Sequence, residues 1–477
     1  MPIALSCRCS AEFDVPDTFA GKTSMCPQCG AFLDVPESGK KTFTREERYV
    51  VLDKEKDEPS PRERKRKIRD AIEDQIEPVR RTAGYGIGVA FVAIAMLALP
   101  ILYIGLVLLV AYGVYWHATE NISFFRTMRI LPALILYLGT LLALIILLAF
   151  MIKPLLARPA KARRGKLVKL DEEPVLAALV EDIVWAVHAP KPKRIEVDCQ
   201  VNASAGFGTS FFGMFSNNLT LTIGLPLVVG LSGRQFAGVL AHEFGHFSQG
   251  AGMRLSFVVR SINAWFARVV YERDAWDEEL RDWCQDSSIW SLVAVMVRVG
   301  VGITRCILWV LMVIAHCLSS FLLRKMEYDA DRSEVRLVGI QTFEKTFRRI
   351  ALMSAAEVEA KEIIEGCWMK DRYPDDYATL VVGLADTLPK RDREDVEDEL
   401  EEATTGIFDS HPSFRDRLAS AEKEDPDGVC SLRMPALDLF QNYEKLTSAA
   451  SITHYKSMFG WGLKPSLRPV AEYLRGR

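Results

Sequence analysis

Two histidines one helical turn apart, with an acid beside the first, are the residues of this 477-residue chain best placed to do chemistry: His242-Glu243-Phe244-Gly245-His246. On a helix, that spacing sets both imidazoles on one face, where they can share a zinc ion, and lets Glu243 reach a water activated by the metal. Only 7 histidines occur in the chain, so a pair at this interval is not background. The bland alternative is two surface histidines on an amphipathic helix. Against it stands a third ligand candidate, 81 residues beyond His246, in Glu327-Tyr328-Asp329-Ala330-Asp331. Glu327 would complete a His-His-Glu set with the fourth position left to water. Asp331, one turn further on, can accept the free ring N–H of a ligating histidine and fix its tautomer. Taken alone, the acids read as a solvated helix face.

A second metal pattern opens the chain. Cys7 and Cys9, then Cys26 and Cys29 in Cys-Pro-Gln-Cys-Gly, form two close thiol pairs across a turn-rich stretch. Four thiolates at such spacing suit tetrahedral zinc, and alternation over residues 11–15 and 31–35 predicts short strands carrying the pairs. The first pair has one intervening residue where zinc ribbons usually have two. Two disulfides are the alternative, which a reducing cytoplasm disfavours. The other six cysteines show no ligand spacing and read as buried thiols.

The segment from Leu240 to His246, the segment from Glu327 to Asp331, and His411-Pro412 with Arg417 together resemble the M48 family of membrane metalloproteases, over roughly residues 153–421. The resemblance implies a gluzincin fold, zinc on His242, His246 and Glu327, and Glu243 as the base. It further implies that His411 lies near the site to stabilise an oxyanion and that Arg417 anchors the acidic residue of the ligand helix. From the residues alone, Ser410-His411-Pro412 is a turn before an amphipathic helix. Both the HtpX-like heat-shock branch and the CAAX prenyl protease branch belong to this family. The heat-shock branch implies membrane or misfolded proteins as substrates and a bacterial cytoplasmic membrane as location.

Rigid elements must hold these groups. Ser232 with Gln235 makes a capping box and Gly250 a stop, which predicts one helix over 233–249. Gly339 ends the helix bearing Glu327 and Asp331. Residues 194–198 and 219–223 alternate like strands. Between them Asn202-Ala203-Ser204-Ala205 resembles the family's edge strand, to which an extended substrate adds by backbone pairing; the family usually has a bulkier residue at Ser204. Residues 206–213 lack the Lys-Ser/Thr of a phosphate loop, and their aromatics suggest a greasy substrate-side or membrane-dipping flap.

Charge placement supplies the remaining architecture. With 59 basic and 62 acidic residues the net charge is −3, and nothing global points to nucleic acid. Residues 82–119 and 130–152, however, contain no Asp, Glu, Lys or Arg, and each run exceeds the roughly 20 residues that cross a bilayer. Basic residues before the first run and after the second put both flanks, and with them the catalytic domain, in the cytoplasm. A break at Pro100 would add a crossing and put one basic flank on the wrong side. Residues 306–323 are again uncharged. Since His246 and Glu327 must reach one ion, the chain between them crosses an even number of times, so a span at 289–323 requires another at 254–271. Arg260 and Arg268, two turns apart on one face, then point into a polar cavity or the protein. A surface-lying helical pair is the alternative. Seven acids in residues 394–402 read as a solvated helix face.

The expected protein is thus mainly α with a small β-sheet (α+β). It comprises a ribbon-like module (1–39), a charged linker (40–82), a transmembrane hairpin (83–152), a metalloprotease domain (153–430) and a tail (431–477). It acts as an endopeptidase with one catalytic and one structural zinc, on polypeptide substrates at the bilayer. A non-catalytic adaptor whose ribbon binds a protein partner, and a protease regulated by the ribbon toward one substrate, are the competing readings.

Overall fold

The computed structural model describes residues 3–6, 12–15, 23–25, 27, 32–34, 60–72, 74–79, 83–123, 129–156, 165–207, 218–248, 251–272, 290–406, 408–409, 411–424 and 427–475. At the start, β1 (Ile3–Ser6) pairs antiparallel with β2 (Glu12–Val15), and β3 (Thr23–Met25) with β4 (Phe32–Asp34). The strands expected at 11–15 and 31–35 are there within a residue at each end. Cys7, Cys9, Cys26 and Cys29, and most of the expected flap, lie outside the described residues.

The segment read as a linker or exposed helix contains α1 (Pro61–Ala71), started by a capping box between Ser60 and Glu63. Its charges conceal a four-residue apolar period. Ile68, Ile72 and Ile76 are buried in the main core, where α1 packs against α4 (Pro174–Ala186). Two long apolar helices follow, α2 (Ala83–Glu120) and α3 (Ile130–Leu156). Pro100 sits inside α2 without ending it, so the first uncharged run is one helix of 38 residues.

A layer of sheet and helices comes next. A four-stranded sheet has the order β5 (Lys166–Leu167), β6 (Arg194–Asp198), β8 (Leu219–Gly224), β7 (Ala203–Phe207). β6 and β8 run parallel, and β7 is antiparallel to β8 at the edge. After the short α5 (Leu225–Gly230), α6 (Gly233–Phe247) begins at the predicted capping box, where Ser232 N–H donates to Gln235 Oε1 at 3.0 Å and Gln235 N–H to Ser232 Oγ at 3.3 Å. Phe236, Leu240, Ala241 and Phe244 bury its apolar face. α7 (Ala251–Tyr271) leads to α8 (Trp290–Val338), a 49-residue helix that Gly339, at φ +80°, brings to an end. α6 lies close against α8: a Cβ on Gly238 would stand 2.9 Å from Val338, and one on Gly245 2.9 Å from Ser333 Oγ. Two glycines seven residues apart share a helix face, and this contact is what brings the histidines to the acids.

Beyond α8 come α9 (Ile340–Cys367), α10 (Tyr377–Asp386), α11 (Lys390–Glu402), α12 (Phe414–Ala421) and α13 (Tyr443–Phe459). No residue of α11 is buried, so the acidic run is a solvated face. The stretch expected to be a tail is built into the core, where Ala436, Leu439, Ala450 and Tyr455 pack with the residues of α4, α6 and the sheet. Tyr455 also donates to Pro374 O at 2.9 Å.

Three described helices are long and apolar enough to cross a membrane: α2, α3 and most of α8. Ile130, Leu131 and Ile135 on α3 and Ile101 and Leu108 on α2 are each more than 60% exposed, a surface suited to lipid rather than water. α7 covers the bounds expected for a further span and carries Arg254, Arg260 and Arg268; it is not among the three. Even so, its Val259, Ile262 and Phe266 bury against Met96 and Tyr103 of α2 and Leu308 and Met312 of α8.

Candidate active site

α6 and α8 cross where His242 and His246 meet Glu327. His242 Nε2 is 3.6 Å from Glu327 Oε2, and His246 Nε2 is 3.7 Å from Glu327 Oε1. One donor atom from each of the three residues falls within a 4.8 Å cluster. Ligand atoms held at about 2.0 Å from a tetrahedral ion stand about 3.3 Å apart, close to the separations found. Behind His242, its Nδ1 lies 3.1 Å from Asp331 Oδ1, the arrangement that holds a ligating imidazole in one tautomer. Arg417 donates from Nε to Asp331 Oδ2 at 2.9 Å and from its terminal nitrogen to Oδ1. Its guanidinium also covers the Phe347 ring at 4.4 Å. His242, Asp331 and Glu334 form a second cluster of donors, but Arg417 already balances Asp331 there. The donor chemistry of the first cluster, two imidazoles and one buried carboxylate, fits zinc.

Electrostatics set the state of these groups. Burial works against a charged His242 ring, but hydrogen bonds with Asp331 and Glu327 outweigh it and raise its pKa to about 10. His246 moves the opposite way, to about 3, chiefly through burial. Burial also raises Glu243 above the usual carboxylate range, toward the neutral values that suit a general base. Ala205 N–H donates to Glu243 Oε2 at 3.1 Å, linking the edge strand to this acid.

A cleft of about 450 Å³ contains the cluster. Each of the predicted edge residues Asn202, Ala203, Ser204 and Ala205 lines it, with β7 starting at Ala203. Thus the register is fixed with Ser204 opposite Thr222 and Ala205 opposite Leu221. His411 stands at the mouth, its side chain 64% exposed and Nδ1 3.3 Å from Glu327 Oε2. One neighbour of the cluster has no place in the expected site: Arg260, whose Nη2 donates to Glu327 Oε1 at 3.0 Å. An arginine within an apolar helix is the sequence signal for it, and its expected direction toward a polar cavity is the one observed. The Ala205 amide leaves no such signal, because every non-proline residue carries one.

A half-buried His-x-x-x-His pair that meets a distant buried glutamate, with Glu243 beside it and an open cleft in front, defines a metallopeptidase-like centre. The sequence model of peptidase family M48 matches residues 171–425, more than half of the chain, and the chain belongs to that family. M48 peptidases are zinc-dependent, so family membership makes this a zinc metallopeptidase. Comparison with curated proteins gives no match, and neither does comparison with solved structures.

Proposed function

We propose that this chain is a membrane-embedded endopeptidase that cleaves membrane or unfolded polypeptides at the cytoplasmic surface, as a heat-shock-type member of its family with a gluzincin domain. The observation that carries this is the convergence of His242 and His246, beside Glu243, with Glu327, which stands on a helix that also contains a long apolar stretch. His242, His246 and Glu327 would hold zinc, which when bound acidifies water and polarises a carbonyl. Glu243 takes the proton of the attacking water and delivers it to the leaving amine. Its bond to Ala205 aims it at the edge where β7, paired on one side with β8, offers its other side to an extended substrate. His411 donates to the developing oxyanion. Asp331, held by Arg417, orients His242.

Membrane topology follows from parity. With both metal-binding helices serving one ion, α7 must accompany α8 across the bilayer, and its packing in the same bundle supports four spans. Basic flanks put the N-terminus and the active site in the cytoplasm. Cys7, Cys9, Cys26 and Cys29 would hold a structural zinc between the hairpins β1–β2 and β3–β4, as a module for a protein partner. Metal analysis of the purified chain tests both sites. Two zinc ions per chain are expected, one lost in Cys26→Ser and the other in His246→Ala; a full complement in either variant rules out the corresponding site.

Arg417→Met is a sharper probe of the support behind the ligands. It leaves the carboxylate of Asp331, 1% exposed, without its counter-charge. The expected cost is about 3–5 kcal/mol of stability, and zinc affinity falls about 10–100-fold. Thermal melts and competitive zinc titration against a chelator read the two effects. An unchanged zinc affinity would remove Arg417 and Asp331 from the site.

A further inference from the structure

A second cavity, of about 280 Å³, opens between α7 and α8 and meets the active-site cleft at Arg260, Glu327 and His411. Seven of its nine lining residues are polar or charged, the exceptions being Leu323 and Phe408, although much of the surrounding helix bundle is apolar. On α7, Arg260 and Asn263 stand three residues apart. His316, Ser319 with Ser320, Leu323 and Glu327 follow at steps of three or four along α8, so they form one stripe leading up to the metal ligand. Ala315 and Leu322, off that stripe, are buried in the apolar core of the bundle, which Met312 and Leu323 of the stripe also join. From His316 to Leu323 the stripe lies within the uncharged run, which ends just before Arg324 and Lys325.

Asn263 Nδ2 donates to Ser319 Oγ at 2.8 Å and ties the two helices together. Two atoms of the wall are left over: Asn263 Oδ1 and His316 Nε2 are buried and have no hydrogen-bond partner among the described residues. Native interiors seldom leave buried polar atoms unmatched, and polar or ionisable side chains inside a span mark the path of a ligand.

We propose that this cavity is a substrate subsite for a carboxylate, with Arg260 as its cationic partner and Asn263, His316 and Ser320 as hydrogen-bonding groups. It rests on the protease reading above and adds a substrate preference to it. Charge decides the ligand class. Arg260 is the only Lys or Arg lining the cavity among the described residues, and the only carboxylate there is Glu327. When a divalent cation takes up the charge of Glu327, the guanidinium of Arg260, whose side chain is 45% exposed, is left to pair with an anion in the cavity. A substrate carboxylate has two sources, an Asp or Glu side chain beside the scissile bond or the C-terminus of the chain.

The test uses the full zinc-loaded chain in detergent and a quenched fluorescent peptide carrying a single Glu, or its isostere Gln, at each position within three residues of the scissile bond. The Gln peptides are also made with a C-terminal acid or amide. Wild type should favour Glu over Gln, or acid over amide, by about tenfold in kcat/KM, and the favoured pair names the source. Arg260→Gln should reduce that preference to about twofold or less. Kd values for the same peptides on Glu243→Gln should repeat the wild-type ratio without cleavage. Zinc content is read for every variant. Should Arg260→Gln lose its metal, His316→Leu, which lies apart from the zinc ligands, decides the matter with a loss of preference of about threefold or more. Equal treatment of all pairs by wild type, or a preference that survives the deciding substitution, overturns the subsite. Absence of any zinc-dependent cleavage by the wild type overturns the protease reading instead.

Discussion

Glu243→Gln should keep the zinc content of the wild type and lower kcat for an unfolded protein in detergent by about 10²–10⁴-fold, the usual contribution of a positioned general base. Glutamine preserves the size of the side chain and still offers an oxygen to the Ala205 amide, now 3.1 Å from the Glu243 carboxylate. What it lacks is the ability to take a proton. Since Glu243 is not one of the three clustered donors, metal retention and loss of turnover separate cleanly. Undiminished cleavage would show that another group moves the proton.

Zinc binding should weaken about tenfold for each pH unit lost between pH 8 and pH 5, about 10³-fold in all. The sign follows from the metal-free site. With a pKa raised to about 10, His242 is protonated across this window, and a ligating imidazole must be neutral. One proton therefore leaves for each ion bound. His246, lowered to about 3, is already neutral and adds nothing to the slope. Calorimetry in buffers of different ionisation enthalpy counts the proton directly. An affinity flat in pH would mean that Asp331 and Glu327 do not hold His242 in its charged form.

Much of the scaffold is legible in the sequence because the relevant signals are local. Ser232 and Gln235 start α6 at the expected residue, β6 has its expected bounds, and Gly339 ends α8. The meeting of Glu327 with the histidines is legible through the resemblance, while the cause of the meeting is not: it depends on Gly238 and Gly245 letting α6 approach α8, a contact between residues far apart in the chain. Two further features are hidden by their surroundings. Ile68, Ile72 and Ile76 dock their segment on the main core, yet they sit among so many charges that the stretch reads as a linker. Tyr455 and its neighbours in α13 complete that same core with no motif at all, since packing needs only shape and apolar surface. The four-span arrangement stands apart from these, because α7 carries three arginines and its crossing is argued from parity rather than from composition.

At about 1.5 Å per residue, the 49 residues of α8 make a rod about 73 Å long, with an apolar shaft at one end and Glu327, Asp331 and Glu334 near the other. No break separates the two. Such a rod can act as a lever, with a change of tilt at its apolar end displacing the carboxylates near the other. If α8 crosses a bilayer as proposed, bilayer thickness, which a long apolar helix can accommodate by tilting, would become a mechanical input to the spacing between a glutamate and two histidines.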